Sequence, residues 1–319
     1  MPPPNNTLIT GRTDAAPLIP EEVQQQIAQD TVEQSAALQL FQNVNLSSKT
    51  MRMPVLSTLP VAYFVNGDTG MKYTTKVAWE NRYLNVEEIA VLVPIPENVL
   101  DDSEFDMWGS ITPLVTQAVG RALDAAIFFG VDKPASWPAA VVPDAVAKGN
   151  FRARDTATAV AGGLAEDFNQ LMGLVENDGY EVNGAIARTG LRVRIRGARD
   201  STGQKLMDVQ NNTLEGAALQ FVMNGLWPVS GSGVTGADAI VGDFNQGIIG
   251  VRRDLEMKFL SEAVIQNPDG SIALNLAQQD AVALRVKARY AWQIANPINY
   301  DQPNPAVRYP FGVLGVAAT

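Results

Sequence analysis

Between Val282 and Ile294 the chain alternates without a break. Val282, Leu284, Val286, Ala288, Tyr290, Trp292 and Ile294 fall on one side; Ala283, Arg285, Lys287, Arg289, Ala291 and Gln293 fall on the other. Successive strand residues point to opposite faces, so the run predicts one long strand with an apolar face and a largely basic one. Such a strand is not stable alone; its apolar face has to close a core with another layer. The element long enough to supply that layer is a helix predicted over 102–129. There Phe105, Trp108, Ile111, Val115, Ala118, Val119, Ala122, Ala126 and Phe129 recur at three- and four-residue steps. Asp101, Asp102 and Ser103 supply its cap and first-turn acids, Gly130 stops it, and Pro113 is a candidate bend. At about 1.5 Å per residue this helix would run about 40 Å. Helix and strand flank a long central stretch, so packing them together predicts one discontinuous domain with a second inserted.

The central stretch mixes both element types. Residues 131–154 read as a Pro- and Gly-broken loop, and a helix follows over 158–177, carrying Leu164, Phe168, Leu171 and Val175 and closed by Asp178-Gly179. Strands are predicted over 181–187, 219–229, 237–242 and 257–265, with Thr189 capping a short helix through Arg196. The class is therefore α+β. Residues 297–319 are Pro-rich and non-periodic.

The first third is more extended. Residues 1–20 are polar and broken by Pro2, Pro3, Pro4, Pro17 and Pro20, with too few apolar residues to fold alone. A helix is predicted over 20–40. Over 50–93 the pattern reads as a long two-stranded excursion. Met51, Met53 and Val55 alternate, Tyr63-Phe64-Val65 run into the turn Asn66-Gly67-Asp68, and 71–79 and 87–93 form the return. An isolated hairpin is marginal in water. One that carries Tyr63, Phe64, Tyr73 and Trp79 needs a surface to lie on.

Composition narrows the chemistry. The 319-residue chain contains no Cys and no His, which removes disulfides, thiol nucleophiles, Ser-His-Asp triads and nearly all zinc sites. No catalytic residue, cofactor or metal is expected. A formal net charge of -10 argues against tight wrapping of nucleic acid. No segment approaches the roughly 20 apolar residues of a membrane span, and the N-terminus reads as carrying no signal peptide. Gly231-Ser232-Gly233-Val234-Thr235-Gly236 matches G-x-G-x-x-G, but a strand rather than a helix follows, so it is a loop. Asp101-Asp102-Ser103-Glu104 reads as capping rather than a metal site, and the five Trp as packing residues. Arg188, Arg192, Arg194, Arg196 and Arg199 form the most basic run; an ion-pairing helix face against another chain is favoured over contact with nucleic acid. Arg285, Lys287 and Arg289 pose the same choice on a strand.

The order of parts, arm, extended loop, long helix, compact centre and returning strand, resembles the HK97-like capsid fold shared by tailed-phage major capsid proteins and encapsulin shells. Local wording agrees: Leu18-Ile19-Pro20, the 51–93 loop with Lys72 and Lys76, the 102–130 spine, and Asn224-Gly225-Leu226-Trp227-Pro228-Val229. Gly242-Asp243-Phe244 and Lys258-Phe259-Leu260 are similar to members from viruses of actinobacteria. The resemblance implies an N-terminal arm and helix (1–40), an extended loop (41–95), a peripheral domain with spine helix (96–155), an axial domain (156–270), and a returning strand with tail (271–319). It also implies a major capsid protein forming hexamers and pentamers of an icosahedral shell around double-stranded DNA, assembled in the host cytoplasm. Partners would be copies of itself, a portal, a scaffold or decoration protein, and DNA bound without sequence specificity, with no membrane. Tyr63, Phe64, Lys72, Lys76, Arg192, Arg194 and Arg196 are the expected subunit-interface residues. Some members cross-link through a loop Lys and a neighbour's Asn, helped by a Glu. Here Gln278, Gln279 and Asp280 stand near the acceptor region and Lys287 and Ala288 where the Glu belongs, so no cross-link is expected. The rivals are an encapsulin-type compartment for a cargo enzyme and a carboxylate-based enzyme or ligand-binding protein, for which no acidic dyad stands out.

Overall fold

The computed structural model describes residues 35–67, 70–103, 106–158, 162–199, 213–214, 216–222, 227, 236–267 and 269–316. The expected arm (1–20), the first fifteen residues of the 20–40 helix and positions 231–235 of the Gly-rich loop lie outside the described residues. In chain order the first half holds α1 (Ala36–Leu40), β1 (Gln42–Asn45), β2 (Thr50–Thr58), β3 (Ala78–Asn85), β4 (Glu87–Pro96), α2 (Glu97–Asp101), α3 (Met107–Asp124), α4 (Val141–Ala147) and β5 (Phe151–Ala153). The second half holds α5 (Leu164–Asn177), β6 (Gly184–Arg188), α6 (Leu191–Gly197), β7 (Thr213–Leu214), β8 (Ala217–Val222), β9 (Ala237–Gly242), β10 (Gly247–Leu260), β11 (Val264–Gln266), β12 (Ile272–Asn275), β13 (Ala281–Ile294) and β14 (Phe311–Gly315).

The long alternating run is β13. It pairs antiparallel with β10 and with β4, in a four-stranded sheet ordered β1-β10-β13-β4. Its predicted apolar face is buried from Leu284 to Ile294, and Val282 is half-buried. Ala283 and Ala291, on the other face, are buried too, because satellite clusters around Leu276 and around Leu84 cover both ends of that face. The predicted partner helix does lie on the apolar face: Trp108, Ile111 and Val115 of α3 meet Leu284 and Val286.

The helix is shorter than predicted. Residues 102, 103 and 106 are not helical, and Asp106 caps α3 by accepting from the Gly109 amide at 2.9 Å. Asp101 and Asp102 instead close the separate turn α2, so the acids read as the cap of this helix do not belong to it. The 18 residues of α3 span about 27 Å. Ala118 and Ala122 of the predicted stripe face outward, and Leu123 is buried in their place. After Asp124 the helix widens into one π turn, Ala125–Phe129, which swings Ile127, Phe128 and Phe129 together into the main core. Gly130 ends it at φ +75°, the left-handed conformation a side chain would strain.

The second sheet runs β5-β14-β9-β6-β8-β7. One face (Ile186, Ile240, Val313) shares the main core with Phe128, Tyr290 and Trp292, so both sheets close on a single interior. The other face (Ala185, Ala187, Ala239, Val241, Leu314) packs on Phe168, Leu171 and Val175 of α5 and Leu191 and Ile195 of α6. A sheet covered on both faces yields strands that are apolar throughout rather than alternating. That is why Phe311–Gly315, in a tail read as non-periodic, is in fact the strand between β5 and β9. Other expectations are corrected, and residues 131–154, read as a loop, hold α4 and β5. The 158–177 helix begins at Leu164, since Gly162 and Gly163 hold positive φ just before it. Thr189 does not cap α6; its hydroxyl donates to the Val222 carbonyl at 3.1 Å. Residues 87–93 do not continue the hairpin return but join β13 as β4.

Candidate assembly interface

The excursion is a hairpin only at its base. Strands β2 and β3 pair antiparallel from Thr50↔Asn85 to Thr58↔Ala78. Residues 71–77, read as strand, are unpaired, because no alternating apolar side faces a second layer there. The base is firmly held: Leu84 and Val86 pack with Leu46 and Ala291, and Trp137 Nε1 donates to the Asn85 carbonyl at 3.0 Å. Along its length the tail segment supports it, with the Ile298 amide on the Leu56 carbonyl (3.1 Å) and the Tyr300 hydroxyl on the Pro60 carbonyl (2.7 Å).

Beyond Pro60 that support ends. Tyr63 and Tyr73 hold the two limbs together, ring centroids 5.6 Å apart, with the Tyr73 amide donating to the Tyr63 hydroxyl. In this part Val61, Phe64, Met71 and Tyr73 are exposed, Phe64 completely; Trp79, opposite Leu56 in the paired base, is 67 % exposed. Trp79 is therefore not a packing residue of its own subunit, unlike Trp137, Trp227 and Trp292, which are buried. Lys72 and Lys76 are exposed on the same limb, and neither has an ion pair among the described residues. Single exposed apolar residues are ordinary, but a contiguous run of large ones marks a surface that meets a partner.

The arginine run sits elsewhere: Arg188 ends β6, Arg192, Arg194 and Arg196 lie on α6, which packs on the second sheet, and Arg199 follows that helix. Arg194 forks onto Asp155 at 2.9 and 2.7 Å within its own chain. The Arg192 guanidinium lies 5.0 Å above the Phe221 ring. Arg196 is exposed. The loop residues and the arginines are thus carried by different elements, the β2–β3 hairpin and the helix α6. On β13 the basic face is partly neutralised inside the subunit: Arg289 reaches Glu88 at 2.6 Å and Lys287 reaches Glu256 at 3.7 Å. Desolvation alone would raise Glu256, but the Arg253 hydrogen bond and the charges of Arg253 and Lys287 outweigh it and hold its carboxyl below the usual range.

Pattern reading missed a clasp at the other end of α3. Asp124 is fully buried and accepts from Ser35 Oγ (2.5 Å), the Ala36 amide (2.9 Å) and the Ala37 amide (3.0 Å). It caps α1 from a distance of 89 residues, which no local pattern reveals. Also unread was an exposed apolar group, Phe259, Val264 and Ile272, at the far end of β10 and the β11–β12 hairpin. Among the described residues no three carboxylates gather to hold a metal ion, and no helix is long and apolar enough to cross a membrane.

An interior shared by two sheets, with a loop that carries its large apolar side chains outside that interior, defines a subunit built to associate. The sequence matches the model of the Phage capsid family over residues 15–299, and the chain belongs to that family. Solved structures agree. One from Microbacterium phage Oxtober96 is 38% identical with TM-score 0.84, covering 97% of this chain and 100% of the other. One from Mycobacterium phage Cain is 33% identical with TM-score 0.83, covering 97% and 99%. A third, described as the capsid of a native GTA particle, is 17% identical with TM-score 0.69 over 98% and 100%, and shares the fold. No curated protein matches the chain. The chain is a major capsid protein of the HK97-like α+β fold, a structural protein of the virion whose named phage relatives come from actinobacterial hosts; the encapsulin reading is not favoured.

Proposed function

We propose that copies of this subunit form hexamers and pentamers that close an icosahedral shell around double-stranded DNA in the host cytoplasm, and that the subunit performs no catalysis. The observation that carries this reading is the loop beyond Pro60, whose apolar side chains find no cover in their own chain. Burying Phe64, Met71, Tyr73 and Trp79 on a neighbour would contribute on the order of 6–12 kcal/mol before ordering costs. Tyr63, Phe64, Lys72 and Lys76 form one side of that contact, and Arg192, Arg194 and Arg196 belong to a second, on the axial face. The proposed functional layout keeps the order arm (1–40), loop (41–95), peripheral domain (96–155), axial domain (156–270) and return (271–319), except that β10 pairs into the peripheral sheet and β5 and β14 into the axial one. A net charge of -10 suits a wall from which packaged DNA must slide free, if the excess lies inside. A portal, and a scaffold or decoration protein, complete the set of partners. Negative-stain microscopy and sedimentation of the expressed full chain test the reading. Closed shells or capsomers are expected; a monomer at millimolar concentration, with the loop protected from proteolysis, refutes it.

A further inference from the structure

The face of β13 that turns away from α3 is basic, and its charges are unevenly matched. In register, Arg285 stands opposite Lys258 of β10, Lys287 opposite Glu256, and Arg289 opposite Arg253. Side chains directly opposite in an antiparallel pair have Cβ atoms about 5 Å apart, and like charges placed so repel. Two of the three rows are balanced within the chain: Arg253 and Lys287 both reach Glu256, and Arg289 reaches Glu88. The Arg285–Lys258 row is not. Neither residue has an ion pair among the described residues, and the Arg285 Nε is shielded from solvent with no hydrogen-bond acceptor. Beside the row, Leu92 of β4 is in register with Arg285 and 40% exposed. The apolar clusters at the two ends of this face reach Ala283 and Ala291, and Lys258 and Leu92 stay exposed between them. A register fixed by the core cannot slide to separate the two cations. They lack an anion.

The chain carries the complement. Where β4 ends, Glu97, Asp101 and Asp102 of α2 and its cap are exposed, and the Glu97 amide donates to the Asp280 carbonyl at 2.8 Å, which adds exposed Asp280 to the corner. None of these acids has an ion pair among the described residues, and Val99 among them is 47% exposed. Within one subunit the corner stands off from the cations. Its Pro96 pairs with Ala281, four residues along β13 from Arg285, about 13 Å away.

We propose that Arg285, Lys258 and Leu92 form a socket for the acidic corner of a second copy of this chain, carboxylates on the cations and Val99 on Leu92. The inference rests on the reading that the subunit assembles, and adds a contact separate from the loop. An apolar centre in each half suits a protein partner; nucleic acid would ask for charge alone. Socket and corner are different surfaces, so the contact is heterologous and propagates around a ring. Copies with net charge -10 repel at long range, so joining opposite charges also selects the orientation in which they meet.

Unlabelled and nitrogen-15-labelled full-length chains, mixed before assembly and treated with a zero-length carbodiimide, should yield mixed-isotope peptides joining Lys258 to the 97–102 segment. Arg285→Glu with Lys258→Glu should raise the concentration needed for assembly at least about tenfold in sedimentation velocity, since like charges then face each other. Adding Asp101→Lys and Asp102→Lys to that chain should restore assembly. Lys258→Gln alone, at an exposed side chain, guards against a folding defect: it should give a smaller rise with subunit melting unchanged. Cross-links of a single isotope, or none at Lys258, overturn the proposal. So does normal assembly of the reversed variant while the parent forms shells, or failure of the compensating pair to rescue it. Normal assembly with lost retention of a double-stranded DNA fragment would assign the cations to nucleic acid and overturn it too. A parent that never assembles would refute the proposed shell itself, and this contact with it.

Discussion

Asp124→Ala is the substitution whose cost the structure specifies best. The carboxylate is fully buried, and three donors depend on it: Ser35 Oγ at 2.5 Å and the amides of Ala36 and Ala37 at 2.9 and 3.0 Å. Removing it leaves these groups without that acceptor in a buried site. An unsatisfied buried donor costs about 1–3 kcal/mol. Part of the loss is recovered if water enters, so the sum is expected to be about 3–5 kcal/mol. Asp124→Asn separates shape from acceptors. It keeps one carbonyl oxygen but turns an NH2 toward a donor, and should cost about 2–3 kcal/mol. Urea unfolding of dilute, unassembled subunits, followed by tryptophan fluorescence, gives both numbers. If both variants unfold within about 0.5 kcal/mol of the parent, the clasp does not hold α1 and the reasoning fails.

Other outcomes follow from the same geometry. Phe64→Ser with Trp79→Ser should abolish shell formation in sedimentation velocity while leaving subunit melting nearly unchanged, since both side chains are already exposed; normal shells would contradict the loop's role. Gly247→Val should cost about 1–3 kcal/mol in urea unfolding, because a Cβ there runs into the Phe41 ring and, at 2.9 Å, Trp292. Arg194→Ala should cost less than about 1 kcal/mol, its pair with Asp155 being 45% and 59% exposed; a larger loss would mean the pair is rigid and structural. Burial pushes the Tyr180 hydroxyl up to about 12, and Tyr309 rises for the same first reason. A phenol raised in the folded state favours folding fully below its ordinary value near 10. Stability should therefore fall as pH climbs from about 10 toward 12, and Tyr180→Phe should flatten part of that slope in urea titrations.

How much could be read in advance depended on whether a residue's role was local. Amphipathic elements were legible: β13 shows its period because one face is basic, and α3 shows its stripe because Val115 and Val119 face the sheet. Gly130 and Gly179 announced chain reversals because their positive φ values strain any side chain. Strands buried on both faces were harder. The run Phe311–Gly315 has no alternation to find, since Val313 and Leu314 are buried on opposite sides.

The proposed assembly surfaces divide along the same line. Tyr63 and Phe64 could be proposed from sequence because apolar residues flanking a turn need cover from somewhere, whereas Lys72 entered only through the family resemblance. Whether their own subunit supplies that cover is a question of three-dimensional placement, and the answer reverses for Trp79, exposed, and Trp137, buried. The sequence by itself determined the α+β class, the long strand and helix, and the absence of thiol and imidazole chemistry, each a property of periodicity or composition. Tertiary structure alone decided that β14 enters the second sheet, that Arg194 is satisfied by Asp155, and that Asp124 holds Ser35 across 89 residues. Those are contacts between segments with no shared pattern, fixed when two sheets close on one core.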